Sequence, residues 1–76
     1  MAEIKNEELL RKIAVVMKQL REKKGVYQMD VIDDTGIHVG RIETAAVNIS
    51  ISSLAALTDY FEIKLSEFFK MVEKVQ

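Results

Sequence analysis

Gln28-Met29-Asp30-Val31-Ile32-Asp33-Asp34-Thr35-Gly36-Ile37-His38-Val39-Gly40-Arg41-Ile42-Glu43 settles the architecture of this chain. Gln28 to Thr35 reads as a short helix with Val31 and Ile32 turned inward. Gly36 breaks it, because glycine enters the left-handed region without the Cβ clash that other residues meet. A second short helix is predicted over roughly His38 to Ala45, with Val39 and Ile42 three apart as its apolar pair. Gly40 in its middle costs about 1 kcal/mol of helix propensity, so this segment must be held by packing.

On the N-terminal side, Leu9, Ile13, Val16, Met17 and Leu20 recur at helical steps between Lys5 and Lys23, which predicts an amphipathic first helix. Gly25 ends it, after a last turn in which Arg21, Lys23 and Lys24 suit the negative end of the helix dipole. On the C-terminal side, Ser50 or Ser52 is placed to cap a fourth helix with Leu54, Leu57, Thr58 and Phe61 inward. Ser66 is placed to cap a fifth, with Leu65, Phe68, Phe69 and Val72 as its apolar stripe and Val75 continuing it. Val47 to Ile51 alternates in the period of a strand, but the neighbouring segments read as helix and offer it no partner.

The 76 residues are 49% hydrophobic and 30% charged, with no proline and no cysteine. That is the composition of one small helical domain, spanning residues 1–76, with a thin core that gains from a partner. Without cysteine there is no disulfide, thiolate metal site or cysteine nucleophile, which suits a reducing cytoplasm. The longest apolar run, Ile13 to Met17, is far short of the roughly 20 residues that cross a bilayer, and the polar start has no signal-peptide core. A soluble, cytoplasmic protein is expected.

Charge is unevenly spread over a net −1: residues 1–25 carry seven Lys/Arg against four Glu, whereas residues 26–44 carry four acids against Arg41 alone. Asp30, Asp33, Asp34 and Thr35 lack the alternating spacing and closing glutamate of a calcium loop, and His38 is the only histidine, so no metal site is expected. No nucleophile stands beside a base, and no paired carboxylates or phosphate-cradling loop are legible, so neither an enzyme nor a cofactor is expected.

Two short helices joined by a glycine turn and flanked by three others suit a helix-turn-helix domain with its core at about 28–45. The order Leu20-Arg21, Gly25, Gln28, Val31, Gly36, Arg41-Ile42-Glu43, Asn48, Ser50, Leu54, Leu57, Phe61, Ile63 and Ser66-Glu67-Phe68 resembles the phage-repressor or Cro-like (Xre-type) helix-turn-helix family across roughly residues 13 to 69. The resemblance implies a compact five-helix, lambda-repressor-like domain. It also implies a phosphate contact from Gln28, a turn at Gly36, and a structural ion pair between Arg21 and Glu43.

A DNA-binding transcriptional regulator follows from that resemblance, with double-stranded DNA as partner. Its candidate contacts are Gln28, Ile37, His38, Val39, Arg41, Thr44 and Asn48, since helix side chains read base edges in the major groove while cations and amides fix phosphates. Asn48 is more often a loop cap than a reader, and Arg41 and His38 equally suit a solvated surface. Helix five and the tail, residues 65–76, supply the expected homodimer seam through Phe69, Val72 and Val75.

Three departures from the family pattern matter. The Gly36 to Glu43 interval is about three residues shorter than usual, so nearly a turn is missing from the reading segment. Ala45 and Ala46 stand where a glycine and a basic residue are usual, and Tyr27 replaces the usual capping Ser or Thr. The acidic stretch over 26–44 is poorly charged for DNA, leaving the basic end of the first helix to compensate. These departures favour the alternative of a protein-interaction module, an antitoxin-like partner or dimerising adaptor with weak or no DNA binding.

Overall fold

Several helix boundaries follow from local features of the chain, in a computed structural model that describes residues 4–76. The polar start discussed above therefore lies partly outside the described residues. Helix α1 runs Glu7–Lys24; the Asn6 side chain accepts the Leu9 N–H at its start, and Gly25 at φ +77° closes it with N–H bonds to Arg21 and Glu22 carbonyls. Helix α2, Gln28–Thr35, opens where the Asp30 carboxylate accepts the Tyr27 N–H at 2.8 Å and stops at Gly36 with φ +75°. Both glycines occupy the left-handed region, where a side chain is strained.

Helix α3 is Val39–Glu43 only. It was expected to reach Ala45, but Ala45 itself swings to φ +58° and ends the helix without a glycine. Helix α4, Ile51–Tyr60, starts at Ser50, whose hydroxyl accepts the Ser53 N–H at 3.1 Å, so Ser50 rather than Ser52 is the cap. Helix α5, Leu65–Lys74, begins one residue before Ser66, with Lys64 in the cap position and no side-chain cap bond. No strand occurs among the described residues; Val47 to Ser50 form an irregular link and Ile51 opens α4.

The protein is all-α, and one hydrophobic core draws on all five helices: Ile13, Val16, Met17 and Leu20 from α1, Val31 from α2, Val39 and Ile42 from α3, Leu54 and Leu57 from α4, Phe68 and Val72 from α5. Helix α1 is the central element, packed against both α3 and α5. Its buried face runs Leu10, Ile13, Ala14, Met17, so Leu10 occupies the place expected of Leu9, which is exposed. The i, i+3, i+4, i+7 spacing from Leu10 decides between the two adjacent leucines. Thr58 is the buried polar residue, and its hydroxyl donates to the Ala55 carbonyl at 3.0 Å. Among the described residues no helix is long and apolar enough to cross a membrane.

Two expectations about surface residues are corrected here. Val39 is fully buried and cannot touch a base, because a helix that buries Ile42 must also turn inward the residue three positions earlier. Val72 is likewise buried, packed within the monomer core, and is not available to a dimer seam.

Candidate nucleic-acid interface

The site is built around the pair that locks α3 to α1. Arg21, in the last turn of α1, donates from Nε to Glu43 Oε2 at 2.7 Å and from Nη2 to Glu43 Oε1 at 3.0 Å. Its Nη1 donates to the Val26 carbonyl at 3.0 Å, so one guanidinium ties together α1, the link to α2 and the end of α3. The side chains are only 12% and 5% exposed, and the hydrogen bond to Glu43 raises the Arg21 pKa against the opposing effect of burial. A two-pronged, charge-assisted contact of this kind fixes orientation as well as distance.

Gln28 extends the pair to the surface. Its Nε2 donates to Glu43 Oε1 at 3.1 Å, while its Oε1 lies over Gly40, 3.0 Å from where a Cβ would stand. The residue expected at a phosphate is thus bonded inward to α3.

With Val39 and Ile42 buried, the outer side of this segment carries His38, Arg41 and Thr44 at intervals of three, all exposed. His38 occupies the α3 N-cap without a side-chain cap bond. Among the described residues the Arg41 guanidinium has no hydrogen-bond or ion-pair partner. Thr44 Oγ1 donates to the Arg41 carbonyl at 2.8 Å. Ile37 is half-buried against the core, its N–H bonded to Thr35 Oγ1, which leaves it little reach outward. Asn48 donates from Nδ2 to the Ile4 carbonyl at 3.0 Å, anchoring the segment before α1.

Sequence reasoning missed three neighbours as parts of the site. Lys5, 41 positions from Ala46 in the chain, donates to its carbonyl at 3.2 Å and brings a second cation beside the α3–α4 link. No local signal announces so distant a contact. Tyr27 and Met29, flanking Gln28, are exposed large apolar residues, 79% and 63% respectively, and give the rim of the site an apolar character.

Two of the three cations at the basic end of α1 are engaged within the fold: Arg21 pairs with Glu43, and Lys24 lies over the Tyr60 ring, 4.9 Å from its centroid. The Tyr60 hydroxyl donates to Asp34 Oδ2 at 2.7 Å, near the end of α2 remote from Gln28, and this bond pushes the Tyr60 pKa up to about 12.

The expected dimer seam is also divided by the fold. Phe69 lines a shallow groove of about 160 Å³ with Leu9, Ile49 and Ile51, whereas Val75 lines another with Val15 and Met71. No family model, curated protein or solved structure matches this chain.

Proposed function

We propose that this protein is a sequence-specific DNA-binding transcriptional regulator of the Cro/Xre-like helix-turn-helix type. The observation that carries this reading is the row His38, Arg41 and Thr44, exposed on a helix whose opposite side is buried and whose end is gripped by Arg21. Arg41 is the base-reading or phosphate-binding cation, since a guanidinium matches the two acceptors of guanine and the oxygens of phosphate alike. His38 and Thr44 flank it, and Lys5 adds a phosphate contact.

Five helical residues span roughly 7.5 Å, so one copy reads about two base-pair steps. Specificity therefore calls for a homodimer, with the two α3 segments entering successive major grooves about 34 Å apart. The groove at Phe69, Leu9 and Ile51 is the seam we assign to it, in place of Val72.

A second reading, a protein-interaction module with weak DNA binding, draws support from the acidic α2 and from exposed Tyr27 and Met29. Fluorescence anisotropy against the gene's own upstream duplex and a scrambled duplex, from 50 to 200 mM salt, separates the two. Preferential, salt-sensitive binding supports the regulator, because displaced counterions report the phosphates contacted. Absence of binding at low salt makes the interaction module the better account.

A further inference from the structure

Glycine is the poorest helix former after proline, yet it is the second residue of the five-residue α3. Gly40 is not in the left-handed region, so its backbone conformation does not require glycine. What lies against it is Gln28. A Cβ at position 40 would lie 3.0 Å from Gln28 Oε1, tighter than ordinary van der Waals contact, and 3.4 Å from its Cδ. Meanwhile Gln28 Nε2 donates to Glu43 Oε1, an oxygen that Arg21 Nη2 also reaches.

These four residues form one connected set, from the exposed first residue of α2, over the second residue of α3, to its last residue and the largely buried guanidinium of α1. Helix α3 has few bonds of its own to hold it: its N-cap side chain bonds nothing, and its apolar anchors are Val39 and Ile42 on one side. Those anchors fix its depth and the Arg21–Glu43 pair holds its last residue, which leaves the N-terminal part of α3 around Gly40 to be held. A carboxamide laid against Gly40 and bonded to Glu43 ties that part to the pair.

We infer that Gln28 is a positioning residue: seated on the bare Cα of Gly40 and bonded to Glu43, its carboxamide sets the roll of α3 against α2 and thereby the presentation of His38, Arg41 and Thr44. The consequence for DNA rests on the function proposed above; the clamp itself is a property of the protein alone. A side chain at position 40 obliges the Gln28 carboxamide to shift by a few tenths of an ångström from its seat.

A double-mutant cycle tests this. Gly40→Ala, Gln28→Ala and the double variant are melted, titrated with the upstream duplex, and their side-chain amide resonances recorded by NMR. Alanine is the better helix former, so Gly40→Ala raises the melting midpoint in the Gln28→Ala background and raises it less, or lowers it, in the wild type. Each single variant binds duplex about tenfold more weakly, and the double variant no more weakly than either, a loss of roughly 1.4 kcal/mol. The Gln28 side-chain amide resonances, displaced from free-glutamine positions in the wild type, return to them in Gly40→Ala. Equal midpoint shifts in the two backgrounds, or unmoved Gln28 resonances, overturn the clamp; duplex affinity in Gly40→Ala equal to wild type overturns its positioning role. If the wild type binds no duplex, the DNA reading falls, while the melting cycle still decides the clamp.

Discussion

Arg21 and Glu43, 22 positions apart in sequence, meet in a two-pronged ion pair with Nε–Oε2 at 2.7 Å, and through it the last turn of α1 dictates where α3 ends. Both side chains are largely withdrawn from water, so removing one strands the other. Glu43→Ala is expected to cost about 3 kcal/mol in denaturant unfolding, since a broken buried pair leaves an uncompensated charge. Replacing both by Met and Leu is expected to cost less than Glu43→Ala alone. An unchanged midpoint in Glu43→Ala contradicts the structural assignment.

Ala45 ends α3 at φ +58°, a conformation in which its Cβ crowds the backbone. Ala45→Gly relieves this and is expected to stabilise the fold by about 1 kcal/mol. For a domain of this size that is a rise of about 4–8 °C in melting midpoint. A fall in midpoint by calorimetry counts against the strain.

Arg41 has no partner within the described residues, so its loss leaves the fold intact. Arg41→Ala is expected to leave the melting midpoint within a degree or so while weakening specific duplex binding by about 1–3 kcal/mol. Binding equal to wild type moves Arg41 from the site to the solvated surface.

Tyr60 donates its hydroxyl proton to Asp34, which raises its pKa to about 12 in the folded state. A pKa raised on folding contributes stability that is fully present below the unfolded tyrosine value of about 10 and lost as pH climbs through the folded value. The difference in melting midpoint between wild type and Tyr60→Phe is therefore expected to stay constant up to about pH 10 and to close toward pH 12. A difference that is flat across that interval removes the Tyr60–Asp34 bond from the account.

Much of the helical plan is legible in the residues because the signals are local. Gly25 and Gly36 end helices at positive φ, and Ser50 caps α4 through its own hydroxyl. The end of α3 is illegible for the converse reason, since alanine carries no preference for the conformation that Ala45 adopts. Leu9 and Leu10 are equivalent until the whole stripe on α1 is aligned, and Val39 is confused with a contact residue until its spacing to Ile42 is weighed against that of His38 to Arg41.

The Arg21–Glu43 pair is legible only as an implication of the helix-turn-helix resemblance, and the site is illegible where it depends on close approach. Gly40 reads as a weak point in a helix, and only the fold shows the Gln28 carboxamide lying against it. Lys5 is hidden for a different reason: 41 positions of chain separate it from the carbonyl it bonds.

Amide chemical-shift mapping of the labelled protein, titrated with its upstream duplex, tests the central claim most directly, because it reports where DNA touches as well as whether it binds. The largest shifts are expected at His38, Arg41 and Thr44, with Lys5 beside them and the core of α5 unmoved. Shifts confined to α5, or none at protein and duplex concentrations of about a millimolar, would contradict it.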